Sequence, residues 1–129
     1  MAGSPNKDTQ AGTLQAEDAL AIIVSAAEDK KATDIVVLDL RKVASFTEYF
    51  IICTGANQRQ VQAIADSVED QLRRSGKRPM HIEGYSSAEW ILLDYGDFIV
   101  HILSNTSRRF YDLERLWRDA DRVTIKQDS

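Results

Sequence analysis

Apolar positions along the chain recur with two periods, and each switch between them predicts an element. Leu20, Ile23, Val24 and Ala27 share a face at helical spacing. Thr13 stands before them as an N-cap, Glu17 and Asp18 fill the first turn, and Lys30 and Lys31 the last, as the helix macrodipole prefers. The continuous run Asp34-Ile-Val-Val-Leu-Asp-Leu40 is rich in β-branched residues and predicts a buried strand, and Tyr49-Phe-Ile-Ile-Cys-Thr54 predicts a second. Gly55 ends that strand and Asn57 caps a long amphipathic helix. Its stripe is Val61, Ile64, Ala65, Val68 and Leu72, with Arg59, Asp66, Asp70 and Arg73 off it, and Gly76 and Pro79 stop it. Met80 to Gly84 predicts a short strand. The order strand, helix, strand predicts a parallel pair joined by a right-handed crossover.

Trp90 to Leu103 reads as a hairpin with Tyr95-Gly96 as its two-residue turn, flanked by Asp94 and Asp97. That register sets Trp90 opposite His101 and Leu92 opposite Ile99. Ile91, Leu93, Phe98 and Val100 then share one face, and Trp90, Leu92, Ile99 and His101 the other, with Asp94 and Asp97 at its edge. Both faces are apolar, so either helices cover both or one is a docking surface. The Trp90 face has the make-up of an interface, with aromatic and imidazole groups inside and acids at the rim. Asn105 or Thr106 caps a third helix with Phe110, Leu113, Leu116 and Trp117 on its inner side, and Arg108 with Asp112 and Glu114 with Arg118 as i,i+4 pairs outside. The fold class is α/β: a single-layer mixed five-stranded sheet with three helices, and not an all-parallel Rossmann sheet.

The 129 residues suit one domain over 13–125, with a polar disordered tail at 1–12 and a short C-terminal tail at 126–129. One cysteine, Cys53, excludes an intrachain disulfide and a Cys-based zinc site, and suits a reducing compartment. No apolar run approaches the roughly 20 residues of a membrane span, and the N-terminus lacks the apolar core of a signal peptide. The net charge of −4 disfavours a bare nucleic-acid binder and favours a basic protein partner.

Each candidate for chemistry has a plainer reading beside it. Thr54-Gly-Ala-Asn-Gln58 would cradle phosphate at a helix start, but it has one glycine and fits a strand-to-helix turn better. Asp94 and Asp97 are paired carboxylates or simple turn residues. His101 has no evident nucleophile to activate, so it packs or lies in an interface, and Cys53 reads as a small buried hydrophobe. Arg73, Arg74, Lys77 and Arg78 either meet RNA phosphate or complement the helix dipole. Arg108 and Arg109 oppose the dipole at a helix start and point to an ion pair with Asp94, Asp97 or a partner. Trp117 belongs to the packing between helix and sheet, whereas Trp90 and Tyr111 suit partner anchors.

Five segments occur together and in order: Asp34-Ile-Val-Val-Leu-Asp39, Glu48-Tyr-Phe-Ile-Ile-Cys-Thr-Gly55, Glu83-Gly84, Trp90-Ile-Leu-Leu-Asp-Tyr-Gly-Asp97 with Val100-His101, and Arg109-Phe-Tyr-Asp-Leu-Glu-Arg-Leu-Trp117. As a set they resemble the ribosomal silencing factor family, also called the Iojap family, over about residues 14 to 123. The resemblance implies a non-catalytic protein with no cofactor or metal and a sheet with a nucleotidyltransferase-like outline. It implies binding to ribosomal protein L-fourteen on the large subunit, a steric block to subunit joining, and repression of translation. It implies cytoplasmic location and a homodimer when free; beside it stand the expectations of a peripheral ribosomal RNA contact through the basic cluster of Arg73, Arg74, Lys77 and Arg78 and of no membrane partner. The partner-facing signature falls on Trp90, Asp94, Tyr95, Asp97, His101, Arg109, Tyr111 and Glu114, and the hairpin face adds Leu92. The competing expectation is a metal-dependent nucleotidyltransferase-like enzyme holding Mg²⁺ with Asp94, Asp97 or Asp39.

Overall fold

The computed structural model describes residues 14–125. The expected tails at 1–12 and 126–129 and the expected cap Thr13 lie outside the described residues. The elements run α1 (Ala16–Asp29), β1 (Thr33–Asp39), β2 (Tyr49–Gly55), α2 (Gln58–Arg74), β3 (His81–Glu83), β4 (Trp90–Asp94), β5 (Phe98–Ser104), α3 (Asn105–Tyr111), α4 (Leu113–Leu116) and β6 (Asp121–Val123). They form an α/β fold with one mixed sheet in the order β3-β4-β5-β2-β1-β6. The sheet has six strands where five were expected, because the short edge strand β6 pairs with β1. β2 and β5 are parallel, and the other pairs antiparallel.

The expected parallel neighbours are separated. β3 runs in the direction of β2, but β4 and β5 lie between them. Burial explains the order. All three residues of β3 are exposed, which suits an edge, whereas β5 is buried from Phe98 to Leu103 and takes the central place beside β2.

On one face of the sheet, α1 and α2 close a core. The α2 stripe is wholly buried and packs with Leu20 and Ile23 of α1 over Ile51, Cys53, Ile91, Leu93, Val100 and Ile102. Asn57 caps α2 as expected: its side chain accepts from the Gln60 N–H at 2.8 Å, while Gln60 Oε1 accepts from the Ala56 N–H. The loop Thr54–Gln58 is therefore a capped turn with its first donors occupied. Gly55 permits it, since a Cβ there would lie 2.9 Å from the Val61 side chain. Lys30 and Lys31 fall beyond α1, which ends at Asp29 with Lys30 as C-cap.

The hairpin register differs from the expected one. Trp90 faces Leu103, Leu92 faces His101 and Asp94 faces Ile99. The Tyr95 N–H donates to the Phe98 carbonyl at 3.0 Å, so Gly96-Asp97 makes the loop and Tyr95, just after β4, pairs with the first residue of β5. Gly96 has φ +87°, and a tight two-residue loop with a left-handed first position favours glycine there over tyrosine. Moving the turn by one residue shifts every cross-strand pair by two, so each expected side chain keeps its face.

The expected third helix is broken. Asp112 has φ +48° and divides it into α3 and the single turn α4. The break changes the helical phase: Leu113 is buried, while Phe110 and Leu116, expected inside, are 77 % and 70 % exposed. Ser104 caps α3, in place of Asn105 or Thr106, by accepting from the Ser107 N–H at 3.1 Å. Neither expected i,i+4 pair forms. Instead Arg108 grips Glu114 across the break at 2.7 and 3.1 Å and donates to Thr54 Oγ1 at 2.7 Å.

Gly84 is the tightest backbone point beneath β4: at φ +79°, a Cβ would lie 2.1 Å from the Trp90 carbonyl oxygen. Gly84→Ala is expected to destabilise the fold by at least about 1–3 kcal/mol, read from urea unfolding, because backbone and not a flexible side chain must move.

Candidate docking face

The second sheet face carries Trp90, Leu92 and Asp94 from β4, Ile99, His101 and Leu103 from β5, Phe50 and Ile52 from β2, and Leu38 from β1. His81 and Glu83 of β3 stand opposite Asp94 and Leu92 on the same side and hydrogen-bond to each other. Leu113 of α4, with Trp117 and Ala120, roofs Leu38, Leu40, Phe50, Ile52, Ile99 and Leu103. Ile99 is 8 % and His101 3 % exposed beneath this roof. The cover thins toward β4, where Trp90, Leu92 and Asp94 are only half-buried.

Aromatic rings line this face in an unbroken chain. Tyr111 lies 4.6 Å from Trp90, Trp90 is 5.8 Å from His101, His101 is 4.4 Å from Phe50, and Phe50 is 5.6 Å from Trp117 and 6.1 Å from Phe46. The chain is buried in the middle and open at both ends, with Tyr111 48 % and Phe46 58 % exposed. Phe46 and Phe50 were not singled out from the sequence. Phe46 lies in a loop with no period to read, and Phe50 lies in a continuous apolar run that does not mark which face each residue takes.

Nine residues were expected to face a partner, and they divide by position. Trp90, Leu92 and Asp94 lie half-exposed on this face, Asp97 is exposed in the turn, and Tyr111 and Arg109 are exposed on α3. Tyr95 is a correction: it follows β4 directly, is 3 % exposed and stacks on Phe98 at 5.0 Å inside the α1–α2 core. His101 is on the expected face but buried, and Trp90 Nε1–H donates to its Nδ1 at 3.1 Å. The expected ion pairs of Arg108 and Arg109 with Asp94 or Asp97 do not form. Arg108 is committed to Glu114, and the Asp94 carboxylate accepts from the Gly96 N–H at 2.8 Å. Glu114 is thus an internal anchor, and the Arg108 guanidinium holds its carboxyl below the usual carboxylate range.

The acids assigned to Mg²⁺ in the enzyme alternative are not gathered. Asp39 is held by Arg41 at 2.7 Å, and no group of three or more metal-ligating side chains forms among the described residues. Cys53 is fully buried, and burial pushes its thiol up to about 12. No helix among the described residues is long and apolar enough to cross a membrane.

A family model described as "Ribosomal silencing factor during starvation" matches residues 13–129. The chain belongs to the ribosomal silencing factor family. A Bacillus subtilis ribosomal silencing factor is 42 % identical over 101 residues, 78 % of this chain and 86 % of that one. The maize chloroplast protein Iojap is 33 % identical over 123 residues, 91 % of this chain but 54 % of the maize protein. A crystal structure of a Chromobacterium violaceum protein matches with a TM-score of 0.79 at 34 % identity, covering 89 % of this chain and 95 % of that one. One from Bacillus halodurans gives 0.73 at 36 % identity, covering 82 % and 96 %. Membership of a silencing factor family gives the protein a regulatory role at the ribosome.

Two predictions separate the faces. The Tyr95 hydroxyl is buried without a hydrogen-bond partner among the described residues. Tyr95→Phe is therefore expected to keep stability within about 1 kcal/mol or raise it, and to leave ribosome binding unchanged, as measured by urea unfolding and co-sedimentation. Burial alone, with no charged neighbour contributing, pushes His101 down to about 3. Between pH 6.5 and that value the unfolded chain takes up a proton that the folded protein refuses. Stability should therefore fall as pH drops, by about 1.4 kcal/mol per unit. Urea melts between pH 6 and 5 should show this slope in the wild type and lose it in His101→Leu.

Proposed function

We propose that this protein binds the large ribosomal subunit through ribosomal protein L-fourteen, and that its bulk then keeps the small subunit from joining and so represses translation. The observation that supports this reading is the half-exposed patch of Trp90 and Leu92 beside Tyr111, where the roof formed by the described residues stops. An amphipathic indole at the centre of a patch, with acids around it, is the composition of an anchor for a basic protein surface. Asp94 and Asp97 form the acidic rim, with Glu83 adding a third charge beside Leu92. Arg109 is exposed on α3 and free to meet a partner from there.

Inhibition of this kind needs occupancy and no turnover. A specific contact of the usual size buries about 1,200–2,000 Å² in total. Peripheral contact with ribosomal RNA falls to Lys77 and Arg78, because Arg73 and Arg74 both reach Asp70, at 2.6 and 3.0 Å. Action on the ribosome of the cytoplasm and a homodimer in the free state belong to the same reading, and sedimentation of the isolated protein measures the second.

Trp90→Ala is expected to weaken binding to isolated large subunits by roughly 2–4 kcal/mol and to relieve the block to subunit joining in proportion. Co-sedimentation with purified subunits reads the first effect and gradient profiles of reassociating subunits the second. Undiminished binding by a folded Trp90→Ala protein would discard this docking face.

A further inference from the structure

His101 lies on the proposed docking face yet cannot touch a partner, being 3 % exposed. Its ring sits between Trp90 and Phe50, with Phe50 edge-on at 4.4 Å. Trp90 Nε1–H, which can only donate, points at Nδ1 at 3.1 Å. An imidazolium carries a proton on both nitrogens and has no acceptor, so the bond requires the neutral ring with its proton on Nε2. Nε2 is buried without a partner among the described residues, so this nitrogen brings no hydrogen bond to the fold. Desolvation keeps the ring neutral throughout the physiological range.

We infer that His101 is a positioning residue: its Nδ1 holds the Trp90 indole in the orientation that docks, a role that rests on the docking reading above. The position of the pair in the sheet supports this. Trp90 stands opposite Leu103, and His101 opposite Leu92, so the two rings meet diagonally across neighbouring strands. On its other side the indole meets Tyr111 at 4.6 Å. Without the acceptor, the half-buried N–H finds no partner in place and the indole turns to reach water. An anchor held in its bound orientation avoids the ordering that docking otherwise demands.

The role separates from that of a contact residue in a double-mutant cycle on binding to purified large subunits. His101→Leu keeps an apolar side chain but removes the acceptor, and is expected to weaken binding about 5- to 30-fold with stability at neutral pH unchanged or raised. His101→Asn, whose amide oxygen can accept the indole proton, is expected to recover most of that loss. In a Trp90→Phe background there is no N–H to hold, so His101→Leu should have no further effect. An equal loss in both backgrounds, or no loss in either where Trp90→Ala does weaken binding, overturns the inference.

A second readout uses the free protein. The Trp90 indole N–H resonance, assigned by its loss in Trp90→Phe, should exchange slowly with solvent in the wild type and in His101→Asn, and quickly in His101→Leu. Equal exchange in all three overturns positioning. Slow exchange that His101→Leu abolishes, together with undiminished binding by Trp90→Ala, leaves positioning standing and overturns the docking reading instead.

Discussion

A sheet that is apolar on both faces needs two covers, and the described residues have helix enough for one. α1 and α2 bury the first face completely, with Val61, Ile64, Ala65, Val68 and Leu72 all withdrawn from water. The second face depends on the short α3, the single turn α4 and the segment through Trp117 and Ala120. These cover β1, β2 and β5 and thin out at β4. The exposed strip there is not a packing failure of one residue. It follows from how much apolar sheet is set against how little helix, and its rim of acids limits what can dock.

The incomplete roof is held firmly where it exists. Asp112 adopts a left-handed conformation that breaks the helix, and Arg108 spans the break to Glu114 while also gripping Thr54 at the end of β2. The Arg108 side chain is 9 % exposed, so its charge has little access to water and depends on these partners. Removing either ionic partner would leave a charge in a largely dry place, a far larger penalty than losing a surface pair. The pair therefore fixes α4, and with it Tyr111 beside Trp90. The docking strip thus has a border set by electrostatics inside the fold, as well as a floor set by strand pairing.

Much of the architecture was legible because it depends on short-range pattern. The stripe of α2, its Asn57 cap, the strands β1 and β2, of which only β2 is buried throughout, and the two faces of the hairpin all follow from local sequence pattern. The hairpin faces survived an error in the turn, since moving the loop to Gly96-Asp97 preserved the alternation. Tyr95 did not survive it, because a residue placed in the loop proved to follow β4 directly and to be buried in the other core. Two further errors share that origin in long-range context. The period of the third helix was extended through Asp112, and β3 was set beside β2 because neighbouring segments often pair.

The sequence by itself determined which residues are apolar, at what spacing, and so which side of each regular element seeks the interior. It also carried the set of segments that marks the ribosomal silencing factor family. Only the tertiary structure decided which interior each side enters and how well it is covered. His101 shows the difference. Alternation places it on the Trp90 face, but only packing against Phe50 and the roof buries it and turns it from a contact into an acceptor for the indole. Burial is a sum over groups distant in sequence, and no local period contains it.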